Sequence, residues 1–380
     1  MKKLAVLGTA IALSNMTYAA DAATQAQIDE LKAQIAALAD TVDAQAEGPA
    51  NPVYIGGYGE MHLNLNQGKD NEIDYHRFVL FFGKEFTDKV RFFSELELEH
   101  SLAGDGKPGE VELEQAYVEV DVTENTQVKT GLFLLPVGIL NETHEPETFY
   151  GVERNNVEKR IIPTTWWEGG VMVSGKIADG LSYDVAMHSG LSAVEVDGDG
   201  GIDDQYDNLR SSRQKVAEAP ANKAAYTARV KYTEIPGLEL ALTGQFQDDL
   251  LQGVGDREVS GRLIEAHAVY QRHGFGVRAL YAAWNLDDAA DDLIAAGASK
   301  QNGYYIEPSY RINEQVGVFY RNSMWDTAAG DSNDSEKTQN DFGVNYWLAD
   351  TAVLKADYFR QETAGELSAT GYNLGVGFSF

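Results

Sequence analysis

Apolar residues recur at every second position from residue 53 to residue 380, and this period of two limits the fold more than any other feature of the chain. In one segment Leu238, Leu240 and Leu242 alternate with polar or small neighbours. Such alternation is typical of β-strands that present one apolar face and one polar face. The chain from residue 53 onward is therefore predicted to be all-β.

The lengths of the connections separate a membrane barrel from a soluble sandwich. The predicted strands cover residues 53–66, 73–86, 89–100, 110–122, 125–133, 168–177, 180–190, 224–234, 237–247, 259–272, 274–285, 302–312, 315–325, 338–348, 351–362 and 368–380. Tight joints such as Thr87-Asp88 and Ala349-Asp350 alternate strictly with longer polar joints such as 101–109 and 191–223. A transmembrane barrel requires this alternation of short turns and longer loops. Closing the sheet into a barrel also removes its edges, whose backbone groups could not form hydrogen bonds in lipid. We predict a 16-stranded antiparallel transmembrane β-barrel over residues 53–380.

The first residues of the chain predict export. Two lysines precede an apolar run, Leu4 to Leu13, that is too short to span a bilayer, and small residues lead to a cleavage site after Ala19. We interpret residues 1–19 as a signal peptide. An exported barrel is expected in the outer membrane of a Gram-negative cell, with both termini in the periplasm.

Residues 23–47 have a helical period instead of a period of two. Apolar residues at alternating spacings of three and four form an a/d seam: Ile28, Leu31, Ile35, Leu38 and Val42. We predict a short periplasmic coiled-coil segment, because a lone helix of this length is marginal in water. A solvated amphipathic linker is the alternative. Residues 48–52 are interpreted as a linker to the barrel.

Composition restricts the partners. The formal net charge is −29 at pH 7, which argues against nucleic acid because phosphates would be repelled. Cysteine is absent, so no disulfide, thiolate nucleophile or cysteine–zinc site is expected, and the motifs predict no other metal site and no cofactor. His100-Ser101 and His188-Ser189 lack a nucleophile elbow, so no enzyme activity is expected.

An acidic segment at residues 195–207 has part of the aspartate spacing of a calcium loop. Asp197 and Asp199 begin the pattern, but Ile202 occupies the sixth position, where such a loop needs glycine for its turn. We favour a solvated acidic loop. Calcium binding and divalent bridging to lipopolysaccharide stay open as alternatives.

The interior of the barrel should be wet, because a barrel of this strand number is too wide for side chains to fill. The phase of each strand places acidic and basic residues on the lumen wall in near balance. The predicted wall residues include Arg77, Arg91, Glu95, Glu97, Lys129, Arg229 and Lys231. Most of these residues are expected to be solvated or paired across the wall.

The longest connection, residues 134–167, is expected to have a function, because loops of this length are otherwise disordered. Phe149, Tyr150, Trp166 and Trp167 argue against disorder. We predict that the loop folds into the barrel and narrows the pore; an outer cap or a trimer contact is the alternative. The residues predicted at the constriction are Glu142, His144, Glu145, Glu147, Arg154, Lys159 and Arg160. Acidic residues outnumber basic ones in this loop.

The final strand ends on alternating aromatic residues. Phe378 and Phe380 are similar to the terminal signal that the outer-membrane assembly machinery reads in barrel proteins. This predicts that machinery as a partner of the chain.

Several short motifs resemble one porin family. The motifs are Tyr58-Gly59-Glu60, His76-Arg77-Phe78, Ser94-Glu95-Leu96-Glu97-Leu98-Glu99-His100, Glu114-Gln115-Ala116-Tyr117, and the run from Gly131-Leu132-Phe133 through Pro136-Val137-Gly138 to Gly151-Val152-Glu153-Arg154. They look like the phosphate-selective porin O/P-like family, and the resemblance covers most of the chain from Val53. It implies a sixteen-stranded homotrimeric porin whose third loop folds into the lumen.

Together these features predict an outer-membrane porin for passive diffusion of small hydrophilic solutes or ions. Its expected surroundings are outer-membrane lipid and lipopolysaccharide, and its selectivity is expected to depend on residues 134–167. The solute and the preference for cations or anions stay open. Two alternatives also stay open: a substrate-specific uptake barrel for phosphate, dicarboxylate or siderophore, and a structural or tethering barrel.

Overall fold

The period-two segments form strands that close on themselves. The computed structural model describes residues 52–196, 202–204, 209–289, 294–332 and 334–380. The predicted signal peptide (1–19) and coiled-coil segment (23–47) lie outside the described residues, as does most of the linker (48–52). Within the described part of the chain, no helix has the length and apolar character needed to cross a bilayer.

The strands have the following bounds: β1 Val53–Asn66, β2 Glu72–Thr87, β3 Val90–Glu99, β4 Val111–Thr123, β5 Thr126–Leu134, β6 Trp167–Ala178, β7 Leu181–His188, β8 Val194–Val196, β9 Ile202–Asp204, β10 Ala225–Tyr232, β11 Leu238–Gln247, β12 Ser260–Arg272, β13 Phe275–Asp287, β14 Lys300–Arg311, β15 Val316–Asp326, β16 Lys337–Ala349, β17 Ala352–Thr363 and β18 Glu366–Ser379. A short helix, α1, spans Asn156–Arg160.

Sixteen of these strands form one closed antiparallel barrel in chain order, as predicted. Strand β18 returns to pair with β1, where Tyr58 lies opposite Ser379. Strands β8 and β9 form a separate hairpin inside the predicted loop 191–223, and β7 pairs directly with β10. This hairpin was not predicted. Because the strand number is even, β1 begins and β18 ends at the end of the barrel that carries the short turns.

The two faces of the wall are inverted relative to a soluble protein. On β11 the outward side chains are apolar and exposed, with Leu242 at 59% and Leu240 at 42% exposure. The inward side chains of the same strand are polar and buried, including Thr243 at 1% and Gln247 at 0% exposure. An apolar exterior with a polar interior is what lipid around the barrel requires.

One part of the interior is packed with apolar side chains. Phe133, Ile161 and Trp166, from the end of β5 and the long loop, pack with wall residues such as Leu280 and Trp284. Each such side chain contributes roughly 1.5–3 kcal/mol when it is removed from water. The loop is therefore seated on a stretch of wall that includes β12 to β15 together with Met172 of β6 and Ala186 of β7, and the polar part of the lumen lies elsewhere.

Candidate functional site: a charged passage beside the third loop

The loop between β5 and β6, residues 135–166 (called L3 below), lies against the inner face of the wall. Its backbone carbonyls accept hydrogen bonds from opposite sides of the barrel: Arg77 on β2 donates to the His144 carbonyl at 2.7 Å, and Arg278 on β13 donates to the Thr148 carbonyl at 2.7 Å. Further wall donors to L3 carbonyls are Thr243, Trp284, Asn345 and Lys355. L3 therefore crosses the lumen and contacts strands on several sides.

Asn141 joins the two ends of L3. Its amide donates to the carbonyls of Leu135 at 2.8 Å and Trp166 at 2.9 Å, and its oxygen accepts from the Trp166 amide at 2.6 Å. Asn141 is fully buried, so these bonds also satisfy polar groups that water does not reach.

A buried carboxylate holds the first bend of L3. Glu158, on α1, accepts the amides of Ile139 at 2.9 Å and Leu140 at 2.6 Å, and Tyr305 donates to it at 2.9 Å. Gly138 has φ +77°, and a Cβ there would lie 2.7 Å from the Glu158 carboxylate. The bend therefore requires glycine, both for its backbone angle and for the close approach of the carboxylate.

The wall facing one side of L3 is acidic, in part because of a bulge in β4. The pairing of β3 with β4 shifts by one residue at Glu114, which reverses the alternation beyond it. Glu112 and Glu114 are consequently buried inside, while Leu113 and Val111 are exposed outside. We define the acidic wall as Glu60, Glu97, Glu99, Glu112 and Glu114.

Arg77 neutralises part of the acidic wall. Its Nε donates to Glu60 at 2.6 Å and its Nη1 to the Tyr58 hydroxyl at 3.2 Å, while Nη2 binds the His144 carbonyl of L3. The side chain is 2% exposed. Arg77 thus has a structural role, because all three nitrogens hold either the wall or the loop.

His144 attaches L3 to the acidic wall by charge. Its Nε2 lies 3.5 Å from both Glu95 and Glu114, and all three side chains are buried. Burial lowers the pKa of His144, but hydrogen bonds and attraction from Glu114 and Glu95 outweigh this effect and raise the pKa to about 9. The imidazole is therefore charged at neutral pH.

We expect His144→Gln to destabilise the folded barrel by on the order of 3 kcal/mol, because two buried carboxylates lose their counter-charge. The contribution of a raised pKa is fully present below the unfolded value of 6.5 and is lost as the pH rises through about 9. Urea unfolding of the protein in lipid vesicles, followed by tryptophan fluorescence at several pH values, measures this. A variant with the same stability and the same pH dependence as the unaltered protein would show that His144 carries no such charge.

A second group of side chains that lines the same cavity as the acidic wall is basic. Arg154 and Lys159 come from L3, and Arg210 and Arg213 come from the loop between β7 and β10. Arg210 donates to the Thr164 carbonyl, and Arg213 donates to the carbonyl of Thr165. Arg154 donates to the Thr165 hydroxyl at 2.8 Å. We call Arg154, Lys159, Arg210 and Arg213 the basic face.

The basic face has no carboxylate in direct contact within the part of the chain that the structure describes. None of its four members forms an ion pair with a described carboxylate. Burial and the neighbouring arginines lower the pKa of Arg210 to about 9, and burial also lowers the pKa of Lys159. A group of cations that no described carboxylate contacts directly attracts anions.

A polar cavity of about 170 Å³ runs between the acidic wall and the basic face. A larger cavity of about 580 Å³ adjoins it near the long-loop ends of β1, β2 and β16 to β18. Glu153, Arg154 and Lys159 line both cavities, so the two are adjacent. We call the first cavity the passage and the second the vestibule.

The acidic residues of L3 are mostly held away from the basic face. Glu142 binds Arg229 on β10, and Glu147 accepts from Ser379 at 2.5 Å. Glu153, in contrast, lies beside the passage, where its carboxylate accepts a hydrogen bond from the His62 ring at 3.2 Å. Of the other residues predicted at the constriction, Glu145 is partly buried, while Arg160 is exposed and lines the vestibule.

The residues predicted on the lumen wall divide into two groups. Arg77 and Glu97 line the passage. The others form pairs away from it: Arg91 with Glu119 at 2.6 Å, Lys129 with Glu119 at 3.9 Å, Lys231 with Glu239 at 3.7 Å, Arg229 with Asp184 at 2.8 Å, and Glu95 with His144.

Sequence reasoning did not identify Arg210 and Arg213, or Glu112 and Glu114. The arginines follow an acidic loop and carry no motif, so only the fold brings them to L3. The two glutamates would have been found by allowing a bulge at Glu114, since Val111 and Leu113 then continue the apolar outer face.

Comparisons with solved structures identify the fold. The anion-selective porin from Comamonas acidovorans aligns with a TM-score of 0.61 at 13% identity, over 87% of this chain and 100% of that one. The outer membrane channel DcaP of Acinetobacter baumannii aligns with a TM-score of 0.60 at 12% identity, over 87% and 98%. A loop L8 deletion mutant of OmpT, an outer membrane protein of Vibrio cholerae, aligns with a TM-score of 0.60 at 14% identity, over 87% and 100%. The barrel therefore has the fold of outer-membrane porins.

Sequence comparison gives the family. No family model matches the chain. A protein of Aquifex aeolicus (strain VF5), described as uncharacterized, is 31% identical over 337 residues, which cover 82% of this chain and 76% of the relative. The chain therefore belongs to the same family as this Aquifex aeolicus protein, and its barrel has the porin fold.

Proposed function

We propose that this protein is an outer-membrane porin through which small hydrophilic solutes and ions diffuse passively. The observation that carries the proposal is a pair of adjacent polar cavities inside a closed barrel, lined by L3, the acidic wall and the basic face. Charged groups on both sides of a narrow aqueous passage decide which ions cross. L3 is thus the element proposed to set selectivity.

The proposed surroundings follow from the outer surface. The exposed apolar row on strands such as β11 suits outer-membrane lipid, with the short turns proposed to face the periplasm. We propose a homotrimer, as the sequence resemblance to the phosphate-selective porins implies. One solved OmpT structure of Vibrio cholerae is described as a trimer form, which supports this proposal.

The proposed preference is for anions. In the vestibule Lys69, Arg154, Lys159 and Arg160 face two carboxylates, Glu72 and Glu153. In the passage the acidic wall is partly neutralised by Arg77, His144 and Lys215, whereas the basic face has no carboxylate partner among the described residues. The acidic excess in the sequence of L3 does not oppose this preference, because Glu142, Glu147 and Glu158 point to other partners.

Swelling of proteoliposomes in uncharged sugars tests diffusion without reference to charge. We expect rapid swelling in a pentose and slower swelling in a disaccharide, because the passage admits solutes by size before it sorts them by charge. Rates equal to those of protein-free liposomes, from protein whose barrel is shown to be folded, would contradict the proposal and favour a structural or tethering barrel.

A substrate-specific anion channel is the second candidate, and the basic face favours it. Four largely buried cations without carboxylate partners among the described residues could bind a phosphate or a dicarboxylate long enough to saturate transport. Chloride current recorded with increasing inorganic phosphate or succinate separates the two candidates. Block at micromolar concentration supports the specific channel, whereas a current that changes only with bulk conductivity supports the general porin.

A further inference from the structure

Three of the seven histidines of the chain lie together at the mouth of the passage. The ring of His76 stacks on that of His62, with centroids 4.6 Å apart, and meets the ring of His100 edge-on at 5.8 Å. Asp74 lies between His76 and His100. None of these residues forms part of the basic face, and the proposed transport does not need them.

Asp74, His76 and His100 point donor atoms at one place. The Nδ1 of His100 is 2.8 Å from Asp74 Oδ2, and the Nδ1 of His76 is 3.2 Å from the same oxygen. The three donor atoms all lie within 4.8 Å of one another. Two ligands of a tetrahedral zinc ion, each at about 2.1 Å from the metal, are roughly 3.4 Å apart, so small shifts would seat an ion between these atoms.

Backbone structure fixes this arrangement. The pairing of β1 with β2 shifts between Glu60 and His62, and the resulting bulge in β2 turns both His76 and Arg77 toward the interior. His100 has φ +50°, which turns the chain back after β3, and its amide donates to the His76 carbonyl at 3.1 Å. The two imidazoles are therefore positioned by main-chain bonds and not by the aspartate alone.

We infer that Asp74, His76 and His100 form a binding site for a divalent transition metal such as Zn²⁺. Two imidazole nitrogens and one carboxylate oxygen suit zinc, nickel or copper, whereas calcium and magnesium prefer oxygen ligands alone. The side chains are 16% to 33% exposed, so an ion and a completing water can reach them. The nearby carboxylates of Glu72 and Glu99 add attraction for a cation.

The site adjoins the passage because His76 lines it. A bound ion would add positive charge at the mouth of the passage and would increase the preference for anions. This consequence rests on the proposed function, whereas metal binding itself does not.

Calorimetric titration of the full barrel in detergent with zinc chloride, at pH 7.5 and without a polyhistidine tag, tests the site. We expect saturable binding of about one ion per chain, weakened more than about tenfold by Asp74→Asn and by His100→Asn, since even second-layer changes at metal sites cost this much. Asparagine tolerates the left-handed backbone at His100. Binding should weaken at pH 6, because protons compete for the imidazoles.

His273→Asn is the matched control, because His273 is exposed, has φ +52° and lies in the short turn between β12 and β13. It should leave zinc binding unchanged. Equal zinc affinity in all variants, no saturable binding in the unaltered protein, or displacement of zinc by excess magnesium would each overturn the inference.

Single-channel recording adds a second readout. Zinc added on the long-loop side should move the zero-current potential of the unaltered protein toward the chloride equilibrium potential. It should have no such effect on His100→Asn. A barrel that binds zinc but conducts no ions would contradict the proposed function and leave the metal site standing. A barrel that conducts ions but binds no zinc would contradict the metal site and leave the proposed function standing.

Discussion

A barrel in which residues 143–153 are replaced by a short Gly-Ser link is expected to conduct severalfold more current per channel than the unaltered protein. This part of L3 crosses the lumen: Arg77 holds it at His144, Arg278 at Thr148 and Lys355 at Gly151. Its removal joins the passage to the space on the other side of the loop. Ion flow increases with the cross-section of the aqueous path, so the larger opening raises the conductance.

The deletion is designed to keep the packed part of the interior. Ile161 and Trp166 remain on the wall, and Glu158 still holds the bend at Ile139 and Leu140. Single-channel recording in planar bilayers measures the conductance. Resistance to detergent at low temperature shows whether the barrel of the variant is still folded. Unchanged conductance from a folded deletion variant would show that L3 does not constrict the pore.

Shortening of residues 253–257 provides the control for this experiment. These residues lie in a long loop between β11 and β12 and line neither the passage nor the vestibule. Conductance should stay at the level of the unaltered protein. An increase of the same size in both variants would attribute the effect to loop shortening in general and would contradict the role assigned to L3.

The barrel itself could be predicted closely from the sequence. The first strand was expected at 53–66 and spans Val53–Asn66, and the last was expected at 368–380 and spans Glu366–Ser379. The period of two is a local signal that repeats in every strand, and closure of an even-stranded sheet then leaves little freedom. Strand boundaries are therefore the part of this structure that depends least on distant contacts.

The passage could be predicted only in part. Arg154 and Lys159 were expected at the constriction and line the passage, whereas Glu142 and Glu147 bind wall residues elsewhere. Counting charges along L3 therefore gave an acidic loop, although its surface toward the passage is largely basic. Which charge faces the water depends on partners far away in the sequence, such as Arg229 and Ser379.

Bulges account for other differences between the predicted and the observed lumen wall. A single extra residue in a strand reverses which side chains face the interior, and no residue type marks the position of a bulge. At Glu114 the reversal adds two glutamates to the acidic wall, and in β2 it turns His76 inward. The sequence predicted no metal site for the same reason, because His100 is distant in the chain from Asp74 and only strand pairing brings them together.

The second large effect concerns charge. Arg154 and Lys159 line both the passage and the vestibule, and neither has a carboxylate partner among the described residues. Replacing both with glutamate changes four units of charge along the route. A unit charge at 4 Å changes the energy of an ion by about 1 kcal/mol even in bulk water, so the ratio of potassium to chloride permeability should rise about tenfold or more.

Lys89→Glu is the matched control, since Lys89 is exposed in the short turn between β2 and β3 and lines neither cavity. It introduces the same type of charge change at a distance from the passage. Its effect on permeability should be small, because exposed charges farther away than about 10 Å are screened at 0.1 M salt.

The zero-current potential across a planar bilayer, with a tenfold gradient of potassium chloride and the R154E/K159E variant beside the unaltered protein, tests the central claim most directly. In the unaltered protein we predict a zero-current potential whose sign indicates preference for chloride. In the R154E/K159E variant the sign should be opposite, and Lys89→Glu should behave like the unaltered protein. The same potential in all three proteins would show that ions do not pass between the acidic wall and the basic face.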